Sequence, residues 1–135
     1  MSFKIGHNKW YVDDKAQAFD MDQAPELKNN RAYVPLRFLS YALQVKEDHI
    51  KWDNQTKEVS ITDGENTIKL KLNSNKAIIN GKAYTMDGMP YLSNGRIMIP
   101  ISQIQGLFEH KHPVVSWDQD QMKVNIKLEL KSYQK

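Results

Sequence analysis

The closest pair of imidazoles in the chain is His110-Lys111-His112, and on an extended segment a His-x-His spacing sets both rings on one side of a metal ion. A specific site takes about three or four ligands. The pair has no further ligands nearby, so it reads as a solvated loop ahead of Pro113, with His110 and His112 left as weak metal candidates. His7 and His49 are isolated and read as exposed. Two carboxylate couples, Asp22 with Asp87 and Asp53 with Asp118, have the residue type for general acid and base work, yet each is better read as one turn residue present twice, capping backbone N–H groups. No G-x-S-x-G elbow, H-E-x-x-H helix or phosphate-binding glycine loop occurs, so no catalytic residue and no cofactor is assigned and the chain is not expected to be an enzyme.

Aromatic residues offer a second kind of chemistry. Trp52 and Trp117 can present flat rings to a sugar, but each shares a strand face with Ile50 or Val115, which predicts core packing against a helix. Trp10 and Tyr11 are less constrained and form the candidate binding surface. The net charge of +3 comes from 19 basic and 16 acidic residues that are interspersed, a slight lean toward anionic partners. Lysines alternate with apolar residues in Lys69-Leu70-Lys71-Leu72 and Lys127-Leu128-Glu129-Leu130-Lys131, the pattern of a wet strand face, so nucleic acid is not an expected partner. Cysteine is absent, which removes disulfides and thiolate metal sites. No stretch approaches the ~20 apolar residues of a membrane span, and the segment MSFKIGHNKWYV lacks the charged-then-apolar order of a signal peptide.

These residues are positioned by a duplication. Shifting the chain by 65 places sets Met21-Asp22 on Met86-Asp87, Pro25 on Pro90, Leu27 on Leu92, Arg31 on Arg96 and Pro35 on Pro100. The same shift sets Trp52-Asp53 on Trp117-Asp118, Val59 on Val124 and Ile61 on Ile126. Within each copy, Val34-Pro35 or Ile99-Pro100 ends a strand and starts a helix, because proline's missing N–H falls where a helix has no partner for it. Leu36, Leu39 and Leu43, like Ile101, Ile104 and Phe108, then recur at helical spacing. Asn80-Gly81 supplies the two positive-φ residues of a hairpin between Ala77–Ile79 and Lys82–Thr85; Trp10–Val12 with Ala18-Phe19 is its counterpart, around a less suitable Lys15-Ala16 turn. Ile50–Trp52 with Glu58–Ile61, and Val115–Trp117 with Lys123–Ile126, read as further strand pairs, and Asp63–Asn66 as a tight turn between copies.

The expected fold is therefore α+β: two tandem ββ-α-ββ type repeats, each a twisted antiparallel sheet packed on one short helix. A unit this small is marginal alone and the junction is short, which predicts a single pseudo-repeat domain over 1–135, with repeat one at about 3–62, repeat two at about 67–128 and a frayed tail at 130–135.

The string Arg31-Ala32-Tyr33-Val34-Pro35-Leu36-Arg37-Phe38-Leu39, followed by Ala42-Leu43 and Trp52-Asp53-x-x-Thr56-Lys57-x-Val59-x-Ile61, resembles the signature of the copper-amine-oxidase-like N-terminal (stalk) domain family, and it does so once per repeat. The glycine that usually ends the family's helix is replaced by Gln44 and Glu109, so the helix end is expected to close differently. Arg37 becomes Ser102 in the second copy, and both copies carry extra residues before the tryptophan. The resemblance implies an accessory module: no tyrosine follows an asparagine, so the tripeptide that becomes the oxidases' quinone is missing. It further implies a non-catalytic structural or binding module on a bacterial cell envelope or phage particle, extracellular or cell-wall associated, with a protein or cell-wall polymer as partner and homo-oligomers allowed. The rival expectation is a basic adaptor for an anionic polymer, wall polysaccharide or nucleic acid.

Overall fold

The computed structural model describes residues 2–11 and 18–128. Val12, the Lys15-Ala16 turn and the 130–135 tail lie outside the described residues. The strands are β1 (Ser2–Lys4), β2 (Lys9–Tyr11), β3 (Ala18–Asp20), β4 (Glu26–Lys28), β5 (Arg31–Pro35), β6 (Ile50–Asp53) and β7 (Glu58–Asp63), followed by β8 (Asn66–Lys71), β9 (Lys76–Ile79), β10 (Lys82–Thr85), β11 (Tyr91–Ser93), β12 (Arg96–Pro100), β13 (Pro113–Asp118) and β14 (Lys123–Leu128). Two helices, α1 (Leu36–Leu43) and α2 (Ile104–Leu107), follow β5 and β12.

Local chemistry sets these elements. Asn80 (φ 51°) and Gly81 (φ 82°) take the left-handed conformations that let β9 turn tightly into β10. The Asn80 side chain also accepts the Thr67 N–H at 2.8 Å, tying the turn to β8. Pro35 and Pro100 remain extended (φ −61°, ψ 129° and φ −64°, ψ 127°), closing their strands and standing immediately before the helical residues.

The strands form three antiparallel sheets, ordered β13-β14-β1-β2-β3, β10-β9-β8-β7-β6 and β11-β12-β5-β4. The α+β class holds, but the expectation that each half owns its sheet is corrected. Phe3 pairs with Val124 and Ser2 with Asn125, so the last strand closes on the first. In the four-stranded sheet Val34 lies opposite Ile99, flanked by Tyr33 with Pro100 and Pro35 with Met98. Because Val34 and Ile99 are 65 positions apart, exchanging the halves leaves this register unchanged. Helix α1 likewise packs on β12 and β14 as well as on β5. The physical reason is area: a unit of about 65 residues is marginal alone, and the exchanged strands bury Phe3, Val34, Leu39, Leu43, Ile61, Ile99, Phe108 and Val124 in one core. Each such side chain contributes roughly 1.5–3 kcal/mol on burial.

The two helices differ. α1 is continuous, and the expectation that its end closes differently without glycine is corrected: Gln44 ends it in the left-handed conformation (φ 56°, ψ 43°) that glycine usually supplies there, despite its Cβ. The second copy is broken into a 3-10 turn at Ile101–Gln103, the short α2 and another 3-10 turn at Glu109–Lys111, with His112 left-handed at φ 53°. Gly106 accounts for part of this. It is a poor helix former, and a Cβ there would overlap the Tyr84 hydroxyl, which donates to Gln103 Oε1 at 3.2 Å.

Candidate functional site

Two open grooves lie where an outer strand of a five-stranded sheet faces the four-stranded sheet. In the first, of about 650 Å³, Trp117 and Val115 of β13 face Leu27 of β4 and Arg31 of β5, with Ile101 at the base and Gln119 at the rim. In the second, of about 410 Å³, Trp52 and Ile50 of β6 face Leu92 of β11 and Arg96 of β12, with Leu36 at the base and Asn54 at the rim. Each residue of the first set lies 65 positions from its counterpart in the second. Both grooves combine residues from the two halves of the chain, because the sheets do.

The tryptophans correct the expectation of core packing. Trp52 pairs with buried Val59, and Trp117 with buried Val124, so both point toward the inner face. Each nevertheless stands on an outer strand whose facing hairpin leaves a groove, and Trp52 is 39% and Trp117 42% exposed. Across the grooves Leu27 and Leu92 are each 50% exposed. Trp10 shows the opposite outcome: it is half-buried, stacked on Tyr41 at 5.8 Å with an interplanar angle of 18°. Tyr11 lines a separate hollow with Lys4 and Lys123.

Charged residues brace the walls from opposite halves. Arg31 Nη2 donates to Asp87 Oδ1 at 2.5 Å. Arg96 donates through Nε to both Asp22 oxygens, at 2.9 and 3.1 Å, and through Nη2 to Oδ2. The hydrogen bonds from Arg96 hold the Asp22 carboxyl below the usual carboxylate range, with Arg37 adding to the effect. Asp22 and Asp87 therefore accept from arginines of the other half, and the Asp22 carboxylate is also held by a backbone N–H. Nearby, the Tyr91 hydroxyl donates to Glu26 Oε1 at 2.5 Å, and burial, reinforced by that carboxylate, pushes the phenol up. Tyr33 meets the Tyr91 ring edge-on at 4.9 Å, and Lys28 Nζ lies 3.9 Å from its centroid.

The other singled-out residues serve turns and strand ends. Asp53 Oδ1 accepts the Gln55 and Thr56 N–H groups at 2.9 and 3.2 Å, and Asp118 Oδ1 accepts that of Gln121 at 3.2 Å. Pro25 and Pro90 are buried, and their carbonyls accept from the backbone of Gly6 and Asn73, each at 2.8 Å. His110 and His112 occupy a 3-10 turn and its end, not an extended segment. His110 Nε2 meets Asp63 Oδ2 at 2.7 Å, while His112 is exposed. Among the described residues no three histidine or carboxylate side chains gather as a metal-ligand set. Sequence reasoning missed the groove role of Leu27 and Leu92, although their coincidence under the 65-place shift was the available signal.

The chain matches the family model described as copper amine oxidase N-terminal domain over residues 1–49 and 15–126, two overlapping matches consistent with tandem copies. No curated protein matches the chain. Among the described residues no helix is long and apolar enough to cross a membrane.

Proposed function

Because the chain belongs to the copper amine oxidase N-terminal domain family, a non-catalytic module, we propose that it is a structural or binding module that displays a surface on a bacterial envelope or phage particle. In this reading the two copies, about 3–62 and 67–128, act as one interlocked unit, and the module does no chemistry of its own. The observation that carries it is the twin grooves: two matching recesses, each with an exposed indole and leucine on walls braced by an arginine–carboxylate pair that joins the two halves. A pair of like recesses suits a repetitive polymer or a repetitive protein lattice.

The test is co-sedimentation of the purified chain with isolated Gram-positive cell walls, alongside sedimentation velocity of the chain alone. Capture by walls, or reversible self-assembly, at physiological salt is expected. A chain that stays monomeric and in the supernatant overturns the reading. The second reading is the basic adaptor for an anionic polymer, which the net charge of +3 supports. In that case wall capture falls steeply with added salt, as counterion release requires.

A further inference from the structure

We infer that the Trp117 groove is a site for a neutral pyranose glycan, an inference that rests on the binding-module reading above. The indole of Trp117 is fixed at its edge, where Nε1 donates to Gln119 Oε1 at 2.8 Å. That bond satisfies the ring's polar group and leaves the π face for a ligand. A π face carries negative charge density and attracts polarised C–H groups, so it selects a ligand with a flat C–H-bearing face. The surrounding polar groups are mostly uncharged: Asn30, Ser102, Gln105, Ser116 and Gln119 offer amides and hydroxyls. The two charged groups in the groove, Arg31 and Asp87, are paired at 2.5 Å, so a charged ligand would have to compete with that pair. A flat apolar wall, a rim of neutral donors and acceptors and a balanced charge together describe the complement of a pyranose.

The alternative occupant is an extended peptide added to the outer edge of β13. That edge is already engaged at its start, where Gln105 Nε2 donates to the Pro113 carbonyl at 3.3 Å and α2 packs on the strand. Strand addition needs a continuous run of unpaired backbone groups, which this arrangement shortens. The volume of about 650 Å³ also falls within the roughly 300–1,000 Å³ usual for small-ligand sites. The second groove is the poorer site. Gly95 and Arg37 stand where the first has Asn30 and Ser102, and Ile97 stands in place of the smaller Ala32.

The experiment titrates the full chain with two soluble probes, the β-1,4-linked tetramers of glucose and of N-acetylglucosamine, read by tryptophan fluorescence and calorimetry. At least one is expected to bind saturably, and the better of the two identifies whether hydroxyl or acetamido groups face the rim. Trp117→Ala is expected to weaken binding by about tenfold or more, Trp117→Phe by less, and Trp52→Ala by at most about twofold. If Trp117→Ala loses its thermal transition, Gln119→Ala, which frees the indole edge from an exposed turn, takes its place and is expected to weaken binding as well. Failure of both tetramers to bind at millimolar concentration, binding that survives Trp117→Ala, or displacement of the tetramer by an extended valine–threonine peptide overturns the proposal. Wall capture persisting alongside such a failure leaves the module reading intact. Release of new reducing ends from a bound tetramer would instead overturn the non-catalytic reading while leaving the groove assignment standing.

Discussion

Arg31 and Asp87 lie 56 residues apart in sequence and 2.5 Å apart in space, and the same relationship recurs between Arg96 and Asp22. Each arginine leaves one half of the chain and ends on a carboxylate of the other. The charges that border the grooves are thus also struts between halves, so groove geometry and the joining of the halves depend on the same side chains.

Asp22 gives the clearest pH signature. Its folded pKa is depressed, mainly by the Arg96 hydrogen bonds, so its contribution is present above the ordinary value of 3.8 and is lost as pH falls through the lower folded value. Asp22→Asn is expected to lower stability by less than about 1 kcal/mol at neutral pH, since the carboxylate is 56% exposed. Thermal midpoints of variant and parent should separate at neutral pH, converge in acid and draw together in high salt. A gap that persists unchanged in acid would show that the carboxylate's charge is not what Arg96 reads.

Asp63 is a more enclosed case, its side chain only 19% exposed. Burial pushes its carboxyl up, but His110 at 2.7 Å and Lys111 at 3.2 Å outweigh that and hold it below the usual range. By the same sign, its stabilisation is present above the ordinary carboxylate pKa and lost as pH drops below it. Asp63→Asn should cost on the order of 1–2 kcal/mol at neutral pH, measured by denaturant unfolding, with the cost shrinking in acid.

Gln44 holds a left-handed backbone at the end of α1 without the freedom of glycine. Gln44→Gly should stabilise the chain by about 0.5–1 kcal/mol, and Gln44→Ala should not, because the strain belongs to any Cβ. Equal midpoints for the two variants in thermal unfolding would refute this explanation.

Gly106 and Tyr84 form a coupled pair. Gly106→Ala should destabilise the parent, because the new methyl displaces the Tyr84 ring and its bond to Gln103. In a Tyr84→Ala background the same change should become neutral or favourable, by up to about 1 kcal/mol of helix propensity. A double-mutant cycle measures this reversal; additive effects would contradict it.

Much of the local structure was legible in the residues. Asn80-Gly81 announces its hairpin because two positive-φ positions are a chemical requirement, and Pro35 and Pro100 mark the strand-to-helix steps because proline cannot continue a ladder. The pairing of Phe3 with Val124 and of Val34 with Ile99 was not legible, since alternation specifies which face is apolar but not which distant strand lies alongside. That same gap hid the grooves. Trp52 and Trp117 face inward as their strands demand, and only the position of the opposing hairpins decides that their outer parts stay open. The partial cover of Trp10 was hidden for the complementary reason: its stacking partner, Tyr41, comes from α1 and is remote in sequence. The left-handed Gln44 could not be foreseen from a residue type that disfavours the conformation.

Cutting the chain between Gly64 and Glu65, in the turn that joins β7 to β8, tests most directly whether the halves depend on each other. Circular dichroism and analytical ultracentrifugation of the separate fragments should show that neither is a folded monomer, and mixing them should restore one cooperative unfolding transition. A lone half that stays monomeric and unfolds cooperatively would mean that each owns its sheets and core, contrary to the strand exchange described above.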